Sequence, residues 1–287
     1  MGCSRRNFFK HTGIGIAGFT IAACQSESRI SPSFTTTPDN YVIEKVSATN
    51  TQIPISTKTP HPTPPFHPDQ IHSIVSQKEV DFLTSHEVHK GDTSRPVMMM
   101  TYDDNGKYSE VRQILDAYKA FNMKATFFFI GEKIPLSSKA VHAIVDEGHL
   151  LACHGYAHQD FLRLTDDQIN RRIEKSFKAV DEVVPGYRMR FIRFPYGSGV
   201  GSERILRVVA QWGLQHIFWS TGSNGTIPGT HDTVMRNAEN GAIVLSHMCR
   251  YYDVTQAAQI VESLVGAGFS LETVETGRAP EDVYTPG

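Results

Sequence analysis

The chain has 287 residues, of which 40% are hydrophobic and 20% charged, and its net charge is −2. That is enough apolar material for one large packed domain with segments to spare. The balance of 28 basic against 30 acidic residues argues against a chain built to bind nucleic acid, and no nucleic-acid partner is expected.

Residues 1–24 read as an export signal rather than as fold. Arg5 and Arg6 precede a short apolar stretch, TGIGIAGFTIAA, in the order of a basic region followed by a hydrophobic one. The stretch is too short and too rich in glycine for a comfortable membrane span. The arginine pair resembles a twin-arginine export signal, and TIAAC resembles a lipoprotein cleavage box ending at Cys24. Lipid on Cys24 would attach the chain to a membrane. Cleavage there removes Arg5, Arg6 and Lys10 and no acid, leaving a more acidic mature chain.

Residues 25–71 are rich in Ser, Thr and Pro, a composition that cannot offset its ordering entropy by burial, so a tether is expected. His61, His67 and His72 lack regular spacing and read as solvated linker positions. The domain is placed at 72–287, led in by a short helix within IHSIVSQKEVDFL.

From Val97 onward, short β-rich runs alternate with helical ones. VMMMTYD precedes YSEVRQILDAYKAFN, whose Val111, Ile114, Leu115 and Tyr118 share a helical face. ATFFFIG, HLLACHG, MRFIRFP, LQHIFWS, GAIVLSH and FSLETVE follow, separated mostly by amphipathic segments. One of these is a long helix with Thr165 as its N-cap. About seven strands with intervening helices imply an α/β fold: a parallel sheet, closed or nearly closed as a distorted (β/α) barrel. No Gly-rich phosphate fingerprint follows the first strand, which argues against a nucleotide site. Cys153 and Cys249 are too few for a disulfide framework. Cys153 should face away from His154, so no bond between the two cysteines is expected.

In such barrels the strand C-termini carry the chemistry. Here those ends bear Asp103 and Asp104, then His154 with His158 four residues on, then Arg193 with Pro195 and Tyr196, and lastly His247. If His154 and His158 lie on one turn of helix, both imidazoles reach a common ion. One carboxylate and two imidazoles suit zinc, with cobalt or manganese as alternatives.

These motifs resemble the polysaccharide deacetylase family (carbohydrate esterase family 4, the NodB-like domain) over about residues 97–275. TYDD is similar to that family's T-F-D-D, HGYAH to H-x-x-x-H, RFPY to R-x-P-Y, and LSH to L-x-H. The resemblance implies that Asp104, His154 and His158 bind the metal and that Asp103 is the general base for the attacking water. It further implies that Arg193 holds Asp103, that the Tyr196 N–H joins an oxyanion hole, and that His247 protonates the leaving amine. The implied substrate is an acetylated, N-acetylglucosamine-containing wall or matrix polysaccharide, hydrolysed outside the cytoplasm.

Two departures from the family pattern stand out. Asn105 occupies the position after the acids where glycine is usual; asparagine tolerates positive φ, so a tight turn there is still expected. The segment Ser220–Asn224 has no carboxylate where one is expected to pair with the acid histidine. Asp232 and Asp253 are the alternatives. Two further functions therefore stay open: a glycan-binding barrel with impaired turnover, and an O-acetyl esterase, whose alkoxide leaving group needs less help from an acid.

Overall fold

The computed structural model describes residues 74–286. The export signal, Cys24 and the 25–71 tether lie outside the described residues. In chain order the elements are α1 (Gln77–Ser85), β1 (Val97–Asp104), α2 (Tyr108–Lys119), β2 (Thr126–Phe129), α3 (Ser138–Asp146), β3 (Leu150–Cys153), α4 (Asp166–Val183) and β4 (Phe191–Ile192). They continue with α5 (Glu203–Ala210), β5 (Gln215–His216), β6 (Thr221–Gly222), α6 (Thr230–Arg236), β7 (Ala242–His247), α7 (Tyr251–Thr255), α8 (Ala257–Gly266) and β8 (Ser270–Leu271). No described helix is long and apolar enough to cross a membrane.

Local sequence accounts for the ends of these helices. Ser76 caps α1 by accepting from the Glu79 N–H. Thr165 caps α4 in a reciprocal box with Gln168: each side chain accepts from the other's backbone N–H.

The strands run β5-β4-β3-β2-β1-β7-β6, with β8 paired to β1 off that path, and every pairing is parallel. The order curls β1, a nearly all-buried run, into the centre of a half-barrel. The seven strands on the path are not quite those expected. β6 joins from a stretch with no apolar run, while the FSLETVE strand shrinks to β8, against the start of β1 only. The barrel has no ladder between β5 and β6 among the described residues. The chain after α1 crosses that gap instead: Val88 bridges to Ile217, and the Gly91 N–H donates to the Gly241 carbonyl.

Strand alternation divides the core in two. Met98, Met100 and Tyr102 pack outward with Val111, Ile114, Leu115 and Tyr118 of α2. Met99 packs inward with Phe128, Ala152, Phe191 and Ile243. The same alternation aims Asp103, His154, Arg193 and His247 into the barrel and Cys153 away from it, as expected. Register then levels them: Asp103 lies opposite His247, and Phe129, Cys153 and Ile192 stand side by side at the ends of β2, β3 and β4.

One buried histidine outside the mouth makes stability depend on pH. His149 accepts the Ala125 N–H at Nδ1 and meets Tyr118 and Phe127 edge-on. Burial first, then the Lys124 charge, push its pKa down to about 4. Below about pH 6.5 the unfolded chain takes up a proton there that the folded chain refuses, so stability falls as pH drops from 6.5 toward 4. The expected loss is about 3 kcal/mol, and His149→Gln should flatten that part of the profile. Urea midpoints measured between pH 7 and 4.5 check this; a slope unchanged in the variant would contradict it.

Candidate active site

The mouth is built at the end of β1. A strand sends neighbouring side chains to opposite faces, so Asp103 and Asp104 should diverge. They do not, because Asp104 adopts φ 76, a left-handed conformation that breaks the pleat. The positive φ thus falls on Asp104 rather than on Asn105, where the sequence placed it. The cost is tolerable for aspartate, one of the few non-glycine residues that visit this region.

Asp104, His154 and His158 each offer one donor atom, and the three atoms lie within 4.8 Å of one another. The closest approaches are 3.3 Å from His158 Nε2 to Asp104 Oδ1 and 3.6 Å from His154 Nε2 to the same oxygen. The two histidines do not sit on a helical turn. Gly155 takes φ 74 and the chain bends through Tyr156–His158, so a loop folds the second imidazole back toward the first. Their ring centroids are 5.3 Å apart.

This donor set fits a divalent ion on its own chemistry. His154 Nδ1–H donates to the Arg193 carbonyl at 2.9 Å, which fixes the tautomer and leaves Nε2 to ligate. Burial holds both imidazoles below their ordinary pKa, so they are neutral and ready to bind a cation. Burial also raises the Asp104 carboxyl, the direction a cation would reverse.

Asp103 is held differently. The guanidinium of Arg193 is fully buried, and its Nη1 donates to Asp103 Oδ1 at 2.8 Å and to Thr101 Oγ at 2.6 Å. Nε donates to the Ile217 carbonyl and Nη2 to that of Phe218, while the plane lies 4.2 Å over the Phe128 ring. Asp103 Oδ2 is 3.9 Å from His154 Nε2, beside the ion site but outside the donor triad.

Tyr196 follows Pro195 with φ 61, again left-handed for a non-glycine residue. Its ring is exposed and meets His158 edge-on at 4.3 Å, so its backbone is presented at the same mouth. His247 closes the site from β7. Burial pushes its pKa down to about 3, against the pull of Asp103.

The structure thus brings all seven expected residues to one end of the barrel. Sequence reasoning missed Thr101, which donates to the Val244 carbonyl while accepting from Arg193. An alternating count back from Asp103 would have found it on the same inward face. Of the two alternative acids, Asp232 is 72% exposed and bound to His231, whereas Asp253 is buried beside His247. Cys249 does not continue the β7 face, because the strand ends at His247; its Sγ lies 3.7 Å from Asp104 Oδ2.

Parallel strands whose ends gather a carboxylate–bis-imidazole cradle, a clamped aspartate and a buried histidine make one mouth with donors that could hold a divalent ion. Residues 90–217 match the polysaccharide deacetylase family model. It is 29% identical over 163 residues to a peptidoglycan-N-acetylglucosamine deacetylase of Bacillus cereus, covering 55% of this chain and 58% of that one. It is 28% identical over 186 residues to the peptidoglycan-N-acetylmuramic acid deacetylase PdaC of Bacillus subtilis, covering 64% and 39%. The chain therefore spans less than two thirds of either relative. A family 4 carbohydrate esterase pseudoenzyme from Bacillus anthracis shares the fold, with a TM-score of 0.62 at 20% identity over 67% of this chain and 70% of that one.

Proposed function

We propose that this protein is a metal-dependent deacetylase that removes N-acetyl groups from a cell-wall polysaccharide containing N-acetylglucosamine. The observation that carries the reading is the 2.8 Å pair of Asp103 with buried Arg193, set directly beside the Asp104–His154–His158 donors. Peptidoglycan deacetylases among its relatives support the substrate class and a place of action outside the cytoplasm. Export through the twin-arginine signal and anchoring at Cys24 belong to the same proposal.

Asp104, His154 and His158 would hold the ion, zinc first and cobalt or manganese next. When bound, it would supply Lewis acidity, activating a water and polarising the acetyl carbonyl. Asp103 accepts the proton of the attacking water, and Arg193 holds that carboxylate in place. The Tyr196 N–H donates to the oxygen that becomes negative as the carbonyl carbon turns tetrahedral. His247, neutral at rest, takes over the proton that Asp103 has drawn from the water and passes it to the nitrogen, because an amine leaves poorly as its anion. The acid and base thus come from adjacent strands at one level, Asp103 opposite His247.

Asp103→Asn is expected to keep the fold and the bound metal and to lower turnover about 10²–10⁴-fold, the usual worth of a positioned base. The full chain, loaded with zinc, would be assayed on N-acetylglucosamine oligomers, acetylated xylan and an aryl acetate, with zinc measured in parallel. Amine release from the oligomers supports the deacetylase. Acetate from esters alone would replace it with the esterase, and glycan binding with no release would replace it with the binding barrel.

A further inference from the structure

The stretch Ser220–Asn224 brings no acid to His247, yet it is shaped to receive one. Ser223 Oγ–H donates to Asp253 Oδ1. At Gly225 an added Cβ would fall 2.0 Å from Asp253 Oδ2, so the missing side chain is what admits the carboxylate. That carboxylate arrives from α7, which folds back just after β7 ends. It is 1% exposed, and its Oδ2 accepts the backbone N–H of His247 at 2.9 Å.

The imidazole of His247 lies against the same oxygen. Its Nδ1 is 3.9 Å from Asp253 Oδ2, buried, and without a hydrogen-bond partner. A buried ring nitrogen rarely stays unpaired, and a carboxylate is the acceptor within reach of a small ring rotation. Which nitrogen of a histidine carries the proton is set by the bond the other one makes. An acceptor at Nδ1 puts a proton there and leaves Nε2 to face the mouth.

We propose that Asp253 is the positioning residue of His247: it takes Nδ1–H, fixes the ring and stabilises the imidazolium that donates from Nε2. This rests on the hydrolase reading above. The acid reaches the histidine from the helix after it rather than from the segment around Gly222, which holds a serine and a glycine in complement.

Two measurements test this. The first compares Asp253→Asn with the parent full chain, both zinc-loaded, on N-acetylglucosamine oligomers and on an aryl acetate whose leaving group needs no proton. The expected result is a fall in the amide-to-ester ratio of kcat of about 10²-fold or more, with KM and zinc content little changed. An unchanged ratio, whether both activities fall together or neither falls, would overturn the proposal. The second reads the imidazole ¹⁵N shifts of His247 in the parent chain and stands even if the variant does not fold. The Nδ1–H form supports the assignment, and the Nε2–H form would overturn it. A parent chain inactive on amides would sink the deacetylase reading, while the tautomer would still decide what Asp253 does.

Discussion

Alanine at Asp104 or at His158 is expected to empty the site of its divalent ion and to lower acetamide hydrolysis by at least about 10³-fold. The loss follows from the donor count. Three side chains are the least that hold zinc while leaving positions open for water and substrate, and two do not compete with solvent. The several kcal/mol of Lewis-acid assistance that vanish correspond, at 1.36 kcal/mol per decade, to that factor. Elemental analysis of the two variants beside the parent checks it, since stoichiometric zinc in His158→Ala would refute the ligand set. Folding should survive, because His158 sits in a loop and Asp104 at a strand end, each partly exposed.

Arg193→Met is the second large effect, and it falls on the fold as well as on turnover. The guanidinium ties Asp103, Thr101 and two carbonyls of the segment after β5, all in the barrel interior. Removing it leaves a buried carboxylate without a counter-charge, a loss of about 3–5 kcal/mol. In urea that is a midpoint shift of about 1–2 M. Pairing it with Asp103→Asn should recover a good part of the stability, because the stranded charge is gone, but none of the turnover. A single variant as stable as the parent would mean that water already reaches and screens the pair.

Much of this was readable in the chain beforehand, for identifiable reasons. Apolar runs that stop at Asp, His or Arg announce strand ends, and a parallel barrel brings such ends together. What escaped depended on backbone geometry or on distant folding. Thr221–Gly222 forms a strand because β7 offers an open edge, not because two residues carry a pattern. The spacing of His154 and His158 suggested a helix, but Gly155 turns the chain into a loop that reaches the same end. Asp253 could be named only as one of two acids, since the fold-back of α7 behind β7 leaves no trace in spacing. The left-handed residue was expected one position late, because asparagine is the better propensity match while the bend falls on the carboxylate that meets His154 and His158.

That bend sets two demands against each other. At position 104 the backbone would rest most easily as glycine, which adopts φ 76 without strain, whereas the proposed ion site needs a carboxylate there. Thermal selection applied without an activity screen would therefore push this position toward glycine, giving sturdier barrels that have quietly lost their chemistry.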